Sequence, residues 1–447
     1  MKNKKISPIR LLSLGYFIAI LIGTCLLMVP CASKANTSTS FIDALFTATS
    51  ATCVTGLIPF DTFTHWSLFG QIVIIVLIQI GGLGFMTIIT LIFMMLKKNI
   101  SIYSRTILMQ SAGSYNISEI TKLMKRIFFG TIIFESLGAI LLTIAFSKNM
   151  NFGTALYYGI FHSISAFCNA GFDILGATNG SLTDYYNNGL VLVTIMFLII
   201  IGGLGFIVWS DLLDTKFKFK KLQTHSKIVL IFSGILIIIP AILYYIFECT
   251  SFGQSGNFIN LTFGEKVLNS FFLSVSPRTA GFNAIDLNAL TSSGKLLTIV
   301  LMFIGGSPGS TAGGVKVTTF VIVIASLISS ARGNDKVVLF KRQIPSKIVK
   351  QSGSLFIAYM SMIIISTMII SAIEPHTFEQ VLFEVVSAIG TVGLTMGLSG
   401  SAGIITKIIL ILLMYAGRLG ALALLSVFVK GKNEYILEEP KGKVLVG

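Results

Sequence analysis

The chain has 447 residues, of which 54% are hydrophobic and only 11% are charged. This composition excludes an ordinary soluble domain and indicates an integral membrane protein. The formal net charge of +15 would suggest nucleic-acid binding in a soluble protein. Here most basic residues lie in segments between apolar stretches, so we expect no nucleic-acid partner. The basic segments are 1–10, 97–126, 216–227, 332–350 and 430–443.

Eight apolar stretches carry at most one charge each and have about the 20 residues that a helix needs to cross a bilayer. In chain order they are Leu11–Ser33, Trp66–Leu96, Ile127–Phe146, Tyr185–Ser210, Ile228–Phe247, Leu296–Ala331, Gln351–Ile373 and Ile408–Val429. The basic residues before the first stretch also resemble the start of a signal peptide. That stretch is longer than a usual signal-peptide core and further spans follow, so we interpret it as a transmembrane helix.

The distribution of charge predicts the topology. If the eight stretches cross the membrane in succession, the basic segments all fall on one side, which is the cytoplasmic side by the positive-inside rule. Both termini are then cytoplasmic, and the protein is a multi-pass membrane protein in contact with lipid.

Four segments on the outer side share one pattern, in which a Phe stands ten residues before a Gly and Leu or Phe follows the Gly. They are Phe46–Leu57, Phe161–Phe172, Phe271–Phe282 and Phe383–Leu394, and they recur every 110 to 115 residues. Such a repeat indicates four equivalent units. We expect these units at residues 1–98, 99–212, 213–345 and 346–430, followed by a cytoplasmic tail at 431–447.

The stretches just before the four glycines are too short to cross a bilayer and suit helices that enter from outside and end midway. They are Asp43–Thr49, Thr154–Ser165, Glu265–Ser274 and Phe378–Val386. The chain would return as extended backbone, which must line protein or a water-filled cavity. The predicted fold class is an all-α membrane protein. It has four helix–pore-loop–helix repeats, with eight transmembrane helices and four re-entrant helices, around a pseudo-fourfold pore.

A ring of four such loops suits a bare cation, because backbone carbonyls can replace its hydration shell. Gly adopts the unusual dihedral angles that this needs, and inward-pointing helix C-termini favour a cation. The three residues before each glycine include no carboxylate, which argues against a divalent-cation site, and Thr391-Val392-Gly393 matches the core of the potassium-channel filter. The predicted ion-binding residues are Val54, Thr55, Gly56, Asn169, Ala170, Gly171, Thr279, Ala280, Gly281, Thr391, Val392 and Gly393.

The sixth stretch is interrupted by Gly305–Lys316, which contains five glycines and a proline and does not favour a regular helix. We interpret this segment as a flexible gate beneath the filter; the alternative is a kinked helix that only packs. The related glycines of Gly81–Phe85 and Gly202–Phe206 predict close helix packing, so we expect a broken helix in the third unit alone. The predicted gate residues are Gly305, Gly306, Ser307, Pro308, Gly309, Ser310, Thr311, Ala312, Gly313, Gly314, Lys316 and Arg418.

Charged residues within the predicted spans are candidates for function, because a charge that faces lipid is costly. We expect Arg418 to face the interior, either as a barrier to cation leak or as a helix-pairing residue satisfied by carbonyls or by Glu135. Lys316 either belongs to the gate or extends toward the cytoplasm. Glu135 is a candidate for a transport role, although the sequence shows no partner for it. Arg278 is expected to brace the outer loops by pairing with acids.

The glycine segments resemble those of the Trk/Ktr/HKT superfamily of potassium transporters, most closely the Ktr-type membrane subunit of bacteria. The resemblance covers essentially the whole chain and rests on Cys53–Leu57, Cys168–Phe172, Arg278–Phe282 and Gly390–Leu394. It implies potassium uptake across the bacterial plasma membrane, with potassium preference because all four positions are Gly. It also implies the intramembrane gate, the leak-limiting arginine, a homodimer, and a separate cytoplasmic nucleotide-binding ring that moves the gate. K+ is then the transported ion, Na+ is a candidate activator, and no covalent cofactor is expected.

Two other classes of function fit the sequence less well. An ion-coupled secondary transporter of another small cation would be expected to carry inverted repeats, whereas the four motifs here all face one side. An intramembrane enzyme would need a catalytic constellation, and the predicted spans contain only Glu135, Lys316 and Arg418 as charged residues. The chain itself carries no nucleotide-binding fingerprint.

Overall fold

The part of the chain that the structure describes is predominantly helical, which agrees with the predicted all-α class. The computed structural model describes residues 8–84, 120–176, 181–249, 258 and 261–420. These residues form sixteen α-helices and one hairpin, in which β1 (Val338–Leu339) pairs antiparallel with β2 (Arg342–Gln343). The helices are α1 (Pro8–Met28), α2 (Phe41–Cys53), α3 (Thr62–His65), α4 (Leu68–Leu83), α5 (Ile120–Phe146), α6 (Phe152–Phe167), α7 (Gly189–Leu204), α8 (Phe206–Asp214), α9 (Thr224–Cys249), α10 (Phe263–Val275), α11 (Ser292–Phe303), α12 (Val317–Ala331), α13 (Ser346–Ile373), α14 (Phe378–Gly390), α15 (Leu398–Ser401) and α16 (Ile404–Leu419).

Each predicted unit begins with a long helix. The four long helices, α1, α5, α9 and α13, have 21, 27, 26 and 28 residues and are apolar enough to cross a membrane. Their outer faces carry exposed apolar side chains such as Phe17, Phe129 and Ile364. These faces suit contact with lipid, because a soluble surface rarely exposes large contiguous apolar patches.

A short, buried helix follows each long helix. The short helices α2, α6, α10 and α14 have 13, 16, 13 and 13 residues. Each begins at a capping side chain that accepts a hydrogen bond from a backbone N–H three residues later. The capping residues are Ser40, Asn151, Thr262 and Thr377. All but two residues of the four glycine segments are buried, so these segments form the centre of the molecule.

The second helix of each unit is shorter than a full span. The helices α4, α7, α11 and α16 have 16, 16, 12 and 16 residues. Three of them end at a glycine with positive φ, a conformation that favours Gly. These glycines are Gly84 (84°), Gly205 (94°) and Gly420 (89°).

The expectation that only the third unit has a broken helix is therefore wrong. The predicted span Tyr185–Ser210 is not one continuous helix, because α7 and α8 meet at an angle of 86°. After the left-handed Gly205, the backbone N–H of Phe206 donates to the carbonyl of Gly309, at 2.8 Å, instead of continuing the helical ladder. A contact from the third unit thus breaks the helix of the second.

Some predicted features lie outside the described residues. They are the ends of Trp66–Leu96 and Ile408–Val429, most of the basic segments 1–10 and 97–126, the segment 430–443, and the tail 431–447. The division into units at 98, 212, 345 and 430 stays a prediction.

The units pack as a closed cycle. The second helix of each unit contacts the short helix of the next: α4 packs on α6, α7 on α10, α11 on α14, and α16 returns to α2. An ion pair lies where the fourth unit meets the first, with Lys407 Nζ 2.7 Å from Asp43 Oδ1 and both side chains about 15% exposed. Four units of the same construction therefore surround one centre.

Substitution of the Lys407–Asp43 ion pair tests how the fourth unit is joined to the first. We expect Lys407→Met to destabilise the purified protein by about 1–3 kcal/mol, because it leaves a largely buried carboxylate without its cation. Thermal unfolding in detergent measures the effect, with Lys148→Met, at an exposed lysine, as the matched control. Asp43→Asn combined with Lys407→Met should cost less than the sum of the two single changes. Equal effects of Lys407→Met and Lys148→Met would contradict the importance of the pair.

Candidate ion-conduction site

The four glycines predicted to line a filter meet in one ring. All four are left-handed, with φ of 93° at Gly56, 69° at Gly171, 78° at Gly281 and 94° at Gly393. A methyl group built on Gly56 would lie 2.5 Å from the carbonyl oxygen of Ala170, and one on Gly171 would lie 2.7 Å from that of Ala280. The two other pairs, which are closer still, are Gly281 with Val392 and Gly393 with Thr55. Each glycine thus faces the backbone of the next unit, and the series closes after four.

The residue two positions before each glycine is left-handed as well. The φ values are 57° at Val54, 58° at Asn169, 72° at Thr279 and 50° at Thr391. This conformation costs a residue other than Gly about 1–3 kcal/mol and persists where the surroundings impose it, commonly at functional sites. In each segment, both the ring glycine and the residue two positions before it are left-handed. This removes the usual alternation of carbonyl directions along extended backbone, so consecutive carbonyls can point to one side.

In each of the four glycine segments, a serine side chain forms a hydrogen bond with the backbone at or just after the ring glycine. The sequence interpretation did not include these serines. Ser50 Oγ accepts from the N–H of Gly56 at 3.0 Å, and Ser387 Oγ accepts from that of Gly393 at 3.1 Å. The hydroxyls of Ser165 and Ser276 instead donate to the carbonyls of Phe172 and Phe282. The signal was readable, because a Ser stands six residues before the glycine in three segments and five before it in the third.

A buried carboxylate anchors the chain just after the fourth ring glycine and was also missed. Glu384 lies in α14 and is fully buried. It accepts from the hydroxyl of Thr395 at 2.8 Å and from the backbone N–H of Ser399 at 3.0 Å. An acid among apolar residues beyond the first turn of a short helix is the signal that could have identified it.

The glycines of the second helices permit close packing against the short helices. Methyl groups at Gly81, Gly202 and Gly417 would overlap the carbonyl oxygens of Thr52, Phe167 and Ile389, respectively. Each of these carbonyls lies four residues before a ring glycine of the same unit. Close helix packing, as predicted for the first two units, is therefore confirmed and extends to the fourth.

The segment 304–316, here called the unit-3 loop, is ordered and folded back on itself. The N–H of Gly305 donates to Val315 O at 2.8 Å, and the N–H of Val317 donates to Gly306 O at 3.0 Å. No helix connects Phe303 to Val317, so the alternative of a kinked continuous helix is wrong.

The unit-3 loop completes the broken helix of the second unit. The last carbonyls of a helix have no partner within it. The carbonyl of Gly203 accepts from the N–H of Ser307 at 3.0 Å, and the carbonyl of Gly202 accepts from that of Thr311 at 3.3 Å. Ser307 and Thr311 are fully buried.

The same loop touches the backbone just before the ring glycines of the second and fourth units. The Thr311 hydroxyl donates to the carbonyl of Phe167, at the end of α6, at 3.1 Å. A methyl group at Gly313 would overlap the Thr391 side chain, and one at Gly314 would lie 3.0 Å from Gly390 O. The structure thus brings the predicted gate residues directly against the predicted filter.

Arg418 faces the interior, as expected, and binds backbone carbonyls. Its guanidinium donates to Thr311 O in the unit-3 loop and to Gly81 O in α4, and it lies 3.3 Å from Gly82 O. Glu135 is not its partner, because both Glu135 carboxylate oxygens accept from the Gln79 amide, at 3.1 and 3.2 Å. Arg418 therefore ties the loop to the first unit.

Lys316 and Arg278 both bind groups of the protein interior. Of the two alternatives for Lys316, extension toward the cytoplasm is not observed, because its Nζ donates back to the carbonyls of Ala312, at 2.5 Å, and Gly313, at 3.2 Å. The expectation for Arg278 is wrong. Arg278 does not pair with acids among the described residues and donates instead to the Ser233 hydroxyl in α9, at 3.1 Å. It stands three residues before the ring glycine Gly281.

Comparison with known proteins agrees with this architecture. Residues 16–436 match the TrkH family model, described as a cation transport protein. The chain is 41% identical to the potassium/sodium uptake protein NtpJ of Enterococcus hirae, over 100% of this chain and 98% of that protein. It is 37% identical to the Ktr system potassium uptake protein B of Bacillus subtilis, over 100% of this chain and 98% of that protein.

A solved structure supports the fold. The potassium transporter TrkH from Vibrio parahaemolyticus superposes with a TM-score of 0.75 at 16% identity, over 96% of this chain and 86% of that one. At this identity the likeness concerns the fold alone. The family match over residues 16–436 and the two relatives confirm the predicted transport class rather than an enzyme, and the chain belongs to the TrkH family of cation transport proteins.

Proposed function

We propose that this chain is the membrane subunit of a potassium uptake system and that K+ passes through the ring of Gly56, Gly171, Gly281 and Gly393. The observation that carries the proposal is the closure of this ring, in which each left-handed glycine lies against a carbonyl of the next unit. Four segments of this kind supply backbone oxygens from four sides, which is how proteins replace the hydration shell of K+.

The electrostatics of the centre favour a monovalent cation. The short helices α2, α6, α10 and α14 end at the filter segments, and a helix C-terminus carries roughly half a negative charge. In the described part of the chain, no group of three or more His, Cys, Asp or Glu side chains could hold a metal ion. Carbonyls and helix ends therefore supply the attraction. The names of the two relatives, one of which includes sodium, support K+ as the transported ion and Na+ as a second ion or activator.

The unit-3 loop is the proposed gate. It is placed against the backbone just before the ring glycines of the second and fourth units and is held by hydrogen bonds between backbone groups and by Arg418. Water can replace polar partners of this kind one at a time. Residues Gly305–Gly314, Lys316 and Arg418 would move or be released together.

The proposed partners act from the cytoplasm. A homodimer and a separate nucleotide-binding regulatory ring are inferred from the resemblance, and the relative named as part of a Ktr system supports a multi-component assembly. The basic segments 216–227 and 332–350 lie on the proposed inner side and offer exposed lysines, such as Lys218 and Lys350, for docking. The proposed location is the bacterial plasma membrane with both termini cytoplasmic.

Substitution of one ring glycine tests the filter. We expect Gly393→Ala to reduce potassium uptake by about tenfold or more, because the added methyl group meets Thr55 O and the residue has a φ of 94°. Growth of a potassium-uptake-deficient bacterium at low K+ and rubidium flux in proteoliposomes measure this. Gly353→Ala in α13 is the matched control, because nothing lies within 4 Å of its position. Wild-type flux in Gly393→Ala would contradict the filter.

Removal of the arginine contact tests the gate. We expect Arg418→Gln to raise unregulated K+ leak several-fold, because the loop loses a charged donor to Thr311 O and the path loses a positive charge. Leak is measured in proteoliposomes without any partner protein. Arg332→Gln, at an exposed arginine beyond α12, is the control. An unchanged leak in a folded Arg418→Gln protein would assign Arg418 to helix pairing only.

A further inference from the structure

Glu135 is an intramembrane acid that the proposed conduction path does not use. It lies in α5, and its carboxylate oxygens accept from the Gln79 amide of α4, at 3.1 and 3.2 Å. Its own backbone carbonyl accepts from the Ser163 hydroxyl of α6 at 2.6 Å. An acid at this depth is costly and is commonly functional, and Gln79 is the partner that the sequence did not reveal.

The contact continues from Gln79 to the filter. The carbonyl oxygen of the Gln79 side chain accepts from the thiol of Cys168 at 3.4 Å. Cys168 is fully buried and immediately precedes the filter residues Asn169, Ala170 and Gly171. The thiol also lies against Gly82 of the same helix α4, since a methyl group there would be 2.5 Å from Cys168 Sγ.

The order of donors and acceptors lets Glu135 determine how the Gln79 amide is oriented toward the Cys168 thiol. Both oxygens of the Glu135 side chain accept from the Gln79 NH2 group, at 3.1 and 3.2 Å, whereas an amide can both donate and accept. Glu135 therefore obliges Gln79 to present its NH2 group toward α5 and its oxygen toward Cys168. Without this constraint the amide could turn over and present a donor to the thiol.

We propose that Glu135 is a positioning residue for ion selectivity, acting through Gln79 on Cys168 and so on the carbonyls of the second filter segment. The proposal rests on the proposed function, because it assigns a role within the same filter. The carbonyl of Ala170, two residues after Cys168, is the one that faces Gly56 in the ring. A shift of Cys168 therefore reaches the ring directly.

The third unit anchors the equivalent position in a simpler way. Arg278 stands three residues before its ring glycine, as Cys168 does, and donates to Ser233 in the long helix α9. In both units a polar residue of the long helix fixes the start of the filter segment. In the second unit, the contact passes through Gln79 of the first unit and so joins two neighbouring units.

The test measures the preference for rubidium over sodium in proteoliposomes. We expect Glu135→Gln to lower this preference by about tenfold, because an amide at 135 no longer dictates the orientation of Gln79. The exchange variant Gln79→Glu with Glu135→Gln should restore it. The amide at 135 then donates to the carboxylate at 79, which still accepts from the Cys168 thiol. Cys168→Ala should reproduce the loss, and adding Glu135→Gln to it should change nothing further.

Glu248→Gln is the matched control. Glu248 is a buried glutamate of α9 that accepts from the Thr291 hydroxyl at 2.8 Å, remote from the filter. We expect it to lower the unfolding temperature without changing selectivity. Unchanged selectivity in Glu135→Gln or Cys168→Ala, or a folded exchange variant that stays unselective, would overturn the positioning role while leaving the filter intact. A wild-type protein without rubidium preference would overturn the proposed function itself.

Discussion

The rest of the structure depends on one constraint, which is the close approach of four backbone segments. At the points of contact there is no room for a side chain. Each ring glycine lies against a carbonyl oxygen of the following unit, so the four glycine segments must lie at the same level around the centre. Capped short helices, serines behind the segments and the cyclic packing of second helices onto short helices all serve this requirement. The strain of left-handed Val54, Thr279 and Thr391 is tolerated because these contacts surround it.

The ends of the second helices α4 and α7 impose a further constraint, because each helix stops at a left-handed glycine. α4 and α7 end beside the filter, and their last carbonyls need partners, because an unsatisfied carbonyl inside a membrane costs several kcal/mol. The unit-3 loop supplies N–H groups to Gly202 and Gly203, and Arg418 supplies its guanidinium to Gly81 and Gly82. The unit-3 loop and Arg418 therefore satisfy the carbonyl ends of α7 and α4, respectively, which ties the position of the loop to these helices.

Much of this arrangement was predictable, and the errors have physical causes. The glycine segments predicted four short helices and the residues that meet in the ring, because their pattern of Gly and apolar residues reflects local backbone demands. The break after Leu204 was not predictable from composition, since Gly202–Phe206 reads as an ordinary packing motif and the partner that breaks it, Gly309, is distant in sequence. The role expected for Arg278 was also wrong because its partner is distant in sequence. That partner is Ser233, a single hydroxyl residue within an apolar stretch of α9.

The sequence by itself determined the membrane class, the fourfold repeat and the identity of the residues at the centre, because length, hydropathy and the need for glycine are local properties. Only the tertiary structure decided which carbonyl each glycine faces, which groups satisfy Arg418, and that Gln79 joins Glu135 to Cys168. These features depend on contacts between residues of different units, which lie more than fifty positions apart in the sequence. A hydrogen bond between distant residues leaves no periodic signal in a single chain.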